Sequence, residues 1–386
     1  MKWILKPRFK PFLNYKEWKK IFRLNSDAVY QFEKKFAKKF KAVDAVTFPY
    51  GRSAQWAFFN AIGLVNSEVL MPSYTCSVVA HAVTLSGNTP VFVDINLNDY
   101  NMDLNELEKL VSVKTKAIIA THTFGYPQDL DRLEDIVKKS EIRFGHKIWL
   151  IQDCCHCFGA EWNGRMIGTS GDVAVYALNI SKIMTSIFGG MLTFQNQDLA
   201  NIVRDWRDNN YKKTGFLKEI KRRLYFILVC IAFSKYLYFV TWWLQEKTNI
   251  LNKYTKAFHL DNKIHFPVDY LDHMTNIEAA IGLVQLDKYD QIIDYRRKKV
   301  NFYQESLSKN PSWILGPIIQ GATYSHYPIR VSNRDAVLKE YINHGVQLGN
   351  LIQYSIPNLP EYSHYKGDFK NSTLASSSLI NFPVTK

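Results

Sequence analysis

Short apolar runs alternate with amphipathic ones over the first half of the chain. Residues 69–71, 91–95, 117–120 and 148–151 are almost continuously apolar and of strand length, the pattern of strands buried on both faces. Between them, 54–64, 77–85, 104–113 and 129–138 carry apolar residues at helical spacing. Two more strands are predicted at 173–177 and 191–194. This alternation predicts an α/β domain with a mostly parallel central sheet flanked by helices. Ligands of such sheets bind beyond the carboxyl ends of the strands. A long amphipathic helix follows from Asn276 to about Lys309, with a break expected near 287–289, and leads into a smaller C-terminal α+β domain. That domain takes in 325–331 and a helix at 335–344.

Composition narrows the class. The chain has 386 residues, 47% of them apolar and 22% charged. It is long enough for two or three domains around real cores, and disordered or fibrous classes are excluded. Five cysteines form no disulfide framework, and Leu5 and Phe9 lie among Lys2, Lys6, Arg8 and Lys10 rather than in an uninterrupted apolar stretch. The expectation is a reduced, cytoplasmic protein without a signal peptide.

Charge changes the picture more. The formal net charge is +14, yet residues 1–42 hold 13 Lys/Arg against 3 Asp/Glu, and 212–256 hold 10 against 2. The rest of the chain is slightly acidic. Both basic segments are rich in aromatic residues, among them Trp3, Phe12, Trp18, Phe22, Tyr225, Tyr236, Trp242 and Trp243. Lysines mixed with rings suit nucleic acid or an anionic membrane surface. The apolar run at 224–233, followed after Ser234-Lys235 by another at 236–244, carries too much aliphatic bulk for a nucleic-acid face. Three placements stay open for 216–250: surface or re-entrant contact with a membrane, burial against the body or a second subunit, and a single 21-residue span, in which Lys235 at the centre would cost roughly 3 kcal/mol.

The candidate chemistry lies in WLIQDCCHCFGAEWNGRMIGTSGDVAVYALNISK, residues 149–182. Asp153 ends a buried strand, where a carboxylate can hold a cofactor's basic nitrogen. Lys182 follows a second strand 29 residues later, just before Gly189-Gly190, and is a candidate nucleophilic amine. Cys154, Cys155, His156 and Cys157 are no zinc site. Adjacent residues of an extended segment point to opposite faces, and no second ligand pair has finger spacing. These cysteines are expected to fill small buried spaces. His81, His122 and His326 show no partner spacing and are read as structural.

Together these features resemble the DegT/StrS-type sugar aminotransferases, pyridoxal-phosphate enzymes of fold type I. The resemblance rests on YGRSAQWAFFNAIG (50–63), EVLMPSYTCSVVAHAV (68–83), TPVFVDI (89–95), TKAIIATHTFGYP (115–127), the Asp153-to-Lys182 spacing and MTNIEAAIGLVQLDKYD (274–290). It implies that Lys182 holds the cofactor covalently and shuttles a proton, and that Asp153 pairs with the ring nitrogen. His156, where the family usually has Gln, would lie near the ring. Arg52, Ser53 and Ala54 would hold the phosphate through backbone N–H groups and the Ser53 hydroxyl. Two cofactor-binding positions depart from the pattern: Cys76 replaces a ring-stacking Phe or Trp, and Ala177 replaces a Ser that helps the phosphate.

The resemblance also implies amino transfer, typically from glutamate to a nucleotide-linked keto-sugar, by a homodimer; the cysteine spacing and the aliphatic bulk of 224–244 set aside a metal and a nucleic-acid partner. It divides the chain into a basic arm (1–42), a large cofactor domain (43–211), a hydrophobic basic insertion (212–256), a return segment (257–290) and a small domain (291–386). The two domains build one site, so a single membrane crossing by the insertion would separate its halves. Peripheral attachment to the inner face of the cytoplasmic membrane, through 1–42 and 216–250, is the expectation that follows. A sugar dehydratase of the same fold, or a catalytically idle membrane-bound scaffold, are the rival readings. Lys182 argues against the first, and Ala177 with Cys76 is the support for the second.

Overall fold

The computed structural model describes residues 4–22, 26–248 and 263–385. Helices α1 (Tyr15–Ile21) and α2 (Ala28–Lys39) open it. They are followed by β1 (Asp44–Phe48), α3 (Gly51–Ala61), β2 (Glu68–Pro72), α4 (Ser77–Leu85), β3 (Thr89–Val93), α5 (Leu104–Leu110), β4 (Thr115–Thr121), α6 (Leu130–Phe144) and β5 (Trp149–Asp153). A short hairpin, β6 (Glu161–Trp162) and β7 (Arg165–Met166), precedes β8 (Val173–Ala177) and β9 (Gly190–Phe194). Then come α7 (Gln197–Asn210), α8 (Phe216–Ala232), α9 (Tyr238–Lys247) and α10 (Asn276–Leu307). The last part holds β10 (Ile314–Leu315), β11 (Tyr327–Arg330), α11 (Arg334–Asn343), α12 (Lys370–Ser378) and β12 (Leu379–Phe382).

The large sheet runs in the order β1-β9-β8-β5-β4-β2-β3. From β8 to β3 all pairs are parallel, while β9 is antiparallel to both β8 and β1. Side chains of β8 alternate between two cores. Val173 and Val175 pack with Phe58, Leu192 and Val203 on one face. Ala174 and Tyr176 pack with Phe32, Phe36 and Phe40 on the other. Both faces are therefore covered, which is what continuous apolar strands require. The small domain is a three-stranded antiparallel sheet, β10-β11-β12, with Tyr327 opposite Phe382.

Two expectations are corrected here, and one of the placements left open for 216–250 is set aside. The basic arm is not one unit: α2 buries Phe32 and Phe36 in the core, joined by its C-cap Phe40, so 28–40 packs with the body. The break near 287–289 is absent, and α10 runs unbroken from Asn276 to Leu307. Its polar stretch finds outside partners. Asp287 pairs with Lys35, Lys288 with Glu17, and the Tyr289 hydroxyl donates to the Phe158 carbonyl at 2.7 Å. The single span is also absent. The apolar run turns between α8 and α9, and no described helix is long and apolar enough to cross a membrane.

Candidate active site

A cleft of about 680 Å³, counting space open to solvent, lies at the carboxyl ends of β4, β5 and β8. The starts of α3 and α4 and the loop joining β8 to β9 close it. Thr121, Asp153, His156, Ala177 and Lys182 all face it.

Asp153 is the last residue of β5 and is buried. One carboxylate oxygen accepts from the Thr121 hydroxyl at 3.0 Å, the other from the Cys155 N–H at 3.1 Å. Thr121 is its register partner on the neighbouring strand β4. Two donors on two oxygens fix the carboxylate plane without neutralising it.

Lys182 sits in the loop after β8, its N–H donating to the Asn179 carbonyl at 3.1 Å. The Asn179 side chain accepts from the Ser181 N–H at 3.0 Å and its hydroxyl at 2.7 Å. Farther along, the loop is pinned by Ser186 N–H to Leu178 carbonyl, 2.9 Å, and Leu178 N–H to Gly189 carbonyl, 2.9 Å. Ile187 takes φ +76°, a conformation a β-branched residue rarely adopts. Burial against Phe226 of α8 and Ile277 and Ile281 of α10 holds it there, with its N–H on the Thr185 hydroxyl at 2.9 Å. The packing of α8 thus helps shape the lysine loop.

His156 is buried, and no hydrogen-bond partner meets its Nδ1 among the described residues. Burial, then the nearby Lys182 and His326, push its imidazole well below the ordinary range, so it is neutral.

The N-terminus of α3 forms one side of the cleft. Tyr50 caps it, and Gly51, Arg52 and Ser53 are the first three helical positions, whose N–H groups precede the first intrahelical bond. Ala54 does not belong with them. Its N–H closes the first turn on the Tyr50 carbonyl at 3.0 Å, and its side chain is fully buried. The Ser53 hydroxyl is buried without a hydrogen-bond partner among the described residues. Arg52 lines the cleft and donates to the His265 carbonyl at 3.4 Å. The close passage of β9 beneath this turn demands glycine: a Cβ on Gly190 would lie 2.3 Å from the Tyr50 carbonyl oxygen.

These residues fit pyridoxal phosphate. A helix N-terminus with an orphaned buried hydroxyl suits the phosphate. An oriented carboxylate suits a protonated ring nitrogen, and Lys182 offers the amine. Cys76 caps α4 and lines the cleft without a ring, and Ala177 offers no hydroxyl. Cys154 and Cys157 are buried in the core as expected, but Cys155 lines the cleft.

Several groups escaped the sequence reading. Thr121 could have been found as a hydroxyl ending the strand beside Asp153. Tyr50 could not. Its hydroxyl donates to Asp269 at 2.7 Å, and Arg222 of α8 pairs with the same carboxylate at 2.8 Å, with Lys218 at 2.9 Å. No local motif marks these distant partners.

His122 buttresses the floor and gives a pH prediction. Its Nδ1 accepts from the Gln128 backbone N–H at 3.1 Å, so Nε2 carries the proton, 2.8 Å from the side-chain amide oxygen of Gln152. Protonation would set two N–H groups against each other. Burial pushes the imidazole from 6.5 down to about 4, against smaller upward pulls from Gln152 and Asp153. Its folded pKa is depressed, so the unfolded chain takes the proton first. Stability present above pH 6.5 is lost as pH falls towards 4, by about 3 kcal/mol in all. Thermal midpoints at pH 7 and pH 5 should show the drop, and His122→Asn should shrink it. An undiminished drop in the variant would refute the assignment.

The match to known proteins follows the same architecture. The family model described as the DegT/DnrJ/EryC1/StrS aminotransferase family matches residues 18–386. The chain is 27% identical over 367 residues to GDP-perosamine synthase of Caulobacter vibrioides, covering 92% of this chain and 84% of that protein. It is 28% identical over 362 residues to dTDP-3-amino-3,6-dideoxy-alpha-D-galactopyranose transaminase of Aneurinibacillus thermoaerophilus, with the same coverage of 92% and 84%. Among solved structures, AtS13 from Actinomadura melliaura superposes with a TM-score of 0.78 at 22% identity, covering 99% of this chain and 94% of that one. The chain belongs to the DegT/DnrJ/EryC1/StrS aminotransferase family and is a pyridoxal-phosphate-dependent aminotransferase.

Proposed function

We propose that this enzyme moves an amino group from glutamate to a keto-sugar carried on a nucleotide, for the assembly of a surface polysaccharide or related glycan. The observation that carries the reading is the meeting of Lys182, Asp153 and the open first turn of α3 in one cleft. The nucleotide-sugar names of the two relatives support the acceptor class. When bound, the cofactor would supply an electron sink that acidifies the donor's Cα–H. Lys182 then acts as the residue that moves a proton at that carbon. Asp153, held by Thr121 and Cys155, keeps the ring nitrogen protonated. Arg52 and Ser53 anchor the phosphate, with Gly51 contributing its N–H, while neutral His156 flanks the ring without adding charge. The enzyme works as a homodimer in the cytoplasm, at the inner face of the membrane.

The test is a half-reaction. Cofactor-loaded enzyme receives glutamate and no sugar. The visible absorbance of the bound cofactor should fade as 2-oxoglutarate appears in proportion to sites, and a nucleotide-linked keto-sugar should restore it. A band that persists with glutamate but fades with another amino acid would overturn the donor. Failure of every nucleotide-linked keto-sugar to restore it would overturn the acceptor.

A further inference from the structure

The two basic aromatic segments, nearly two hundred residues apart in sequence, pack side by side. Trp18 of α1 meets Phe226 of α8 edge-on at 5.5 Å, and Ile21 joins the same cluster. Each helix holds one carboxylate and turns it inward. Glu17 is fully buried, paired with Lys288 and accepting from the Gln285 amide at 2.6 Å. Glu219 is buried too, accepting the Asn276 N–H at 2.7 Å and the Ile277 N–H at 3.2 Å at the start of α10. Three lysines turn the other way: Lys16, Lys19 and Lys221 are exposed. The outer faces of α1 and α8 therefore carry charge of one sign.

Between and beyond these lysines lies apolar surface. On α8, Leu217, Leu224, Leu228 and Ile231 are exposed at helical spacing, with Leu217 74% and Leu228 62% accessible. The stripe continues through the turn and α9 as Tyr236, Val240 and Trp243, with exposed Lys235 beside them. The exposed carboxylate of the hairpin, Glu246, sits in the last turn of α9. Apolar side chains in a row, rings at one end and lysines along the border make an interfacial surface for a bilayer, where acyl chains take the row and lipid phosphates take the lysines. A second copy of the chain fits this face poorly, because a two-fold contact would press lysines against lysines.

We infer that the outer faces of α1, α8 and α9 dock on an anionic lipid bilayer. The inference deepens the membrane placement given above and is independent of the reaction assigned to the cleft. The inner face of α8 carries Lys218 and Arg222, which bind Asp269 beside Tyr50 at the cleft. A docked α8, about 10–12 Å across, would be the wall between lipid and cofactor site.

The experiment is co-sedimentation of the full chain with phosphatidylcholine vesicles, with and without phosphatidylglycerol, at low and physiological salt. Binding should require phosphatidylglycerol and weaken with salt. K19E/K221E and L224S/L228S should each lower it about tenfold or more, with amino transfer in solution unchanged. Equal binding to both vesicle types, unaffected by either variant, would overturn the inference. So would absence of binding when L224S/L228S splits a larger oligomer, which would make the face a contact between copies. Loss of amino transfer with vesicle binding intact would refute the reaction and leave the docking surface standing.

Discussion

Lys182→Ala is expected to end amino transfer, lowering turnover roughly 10⁴-fold or more, because the proposed function has this one side chain both tether the cofactor and move the proton. The fold should survive. The backbone N–H of residue 182 still reaches the Asn179 carbonyl, and the lysine is only half-buried, so unfolding midpoints should stay within about 0.5 kcal/mol of the parent. Cofactor should still bind through the α3 N-terminus, Ser53 and Asp153, more weakly and with an altered spectrum. Lys182→Arg keeps the charge and length but should be as inactive, since a guanidinium does not release its proton in a protein. A small primary amine in solution should restore part of the activity to the alanine variant and none to the arginine one. Turnover within about tenfold of the parent in either variant would remove Lys182 from the reaction.

The lysine and the aspartate were legible because each follows a strand whose apolar run is visible, and because strand ends are where such sheets bind ligands. The first turn of α3 lies outside the apolar pattern for a physical reason. Apolar periodicity begins at Ala54, but α3 begins at Gly51 with Tyr50 as its cap, so the free N–H groups lie before the periodic stretch. Strand β1 was hidden because Asp44 and Thr47 interrupt its apolar pattern. Both are buried, and their partners come from α2 and α7. The expected break in α10 fails similarly, its polar residues being matched by Lys35, Glu17 and the Phe158 carbonyl. Local pattern reads hydrophobic burial well. It does not read polar groups whose partners lie far along the chain, and the Tyr50–Asp269–Arg222 group is of that kind.

The interruption in β1 marks a place where four hydrogen bonds converge on one buried side chain. Glu33 of α2 is buried, and its carboxylate accepts from the Thr47 N–H at 2.8 Å, the Thr47 hydroxyl at 2.7 Å, and Nη1 of both Arg207 at 2.8 Å and Arg204 at 2.5 Å. Arg204 also bridges to Asp44 at 2.9 Å, and Arg207 is itself buried. Glu33→Ala leaves the Arg207 guanidinium without its buried counter-charge and a strand N–H without an acceptor, at an expected cost of about 3–5 kcal/mol. Glu33→Gln keeps an acceptor and loses the charge, so its cost should be smaller. Lys35→Ala, two residues on, removes an exposed pair with Asp287 and should cost less than about 1 kcal/mol. Urea midpoints of the three variants rank the effects. A Glu33→Ala loss no larger than that of Lys35→Ala would show that the network contributes nothing beyond a surface pair. The damage should also reach the site. Strand β1 pairs along its length with β9, whose first residue, Gly190, lies opposite Phe48 and directly beneath the Tyr50 carbonyl. Loosening β1 therefore loosens the support of the phosphate turn, and Glu33→Ala should weaken cofactor retention although Glu33 is not among the residues lining the cleft.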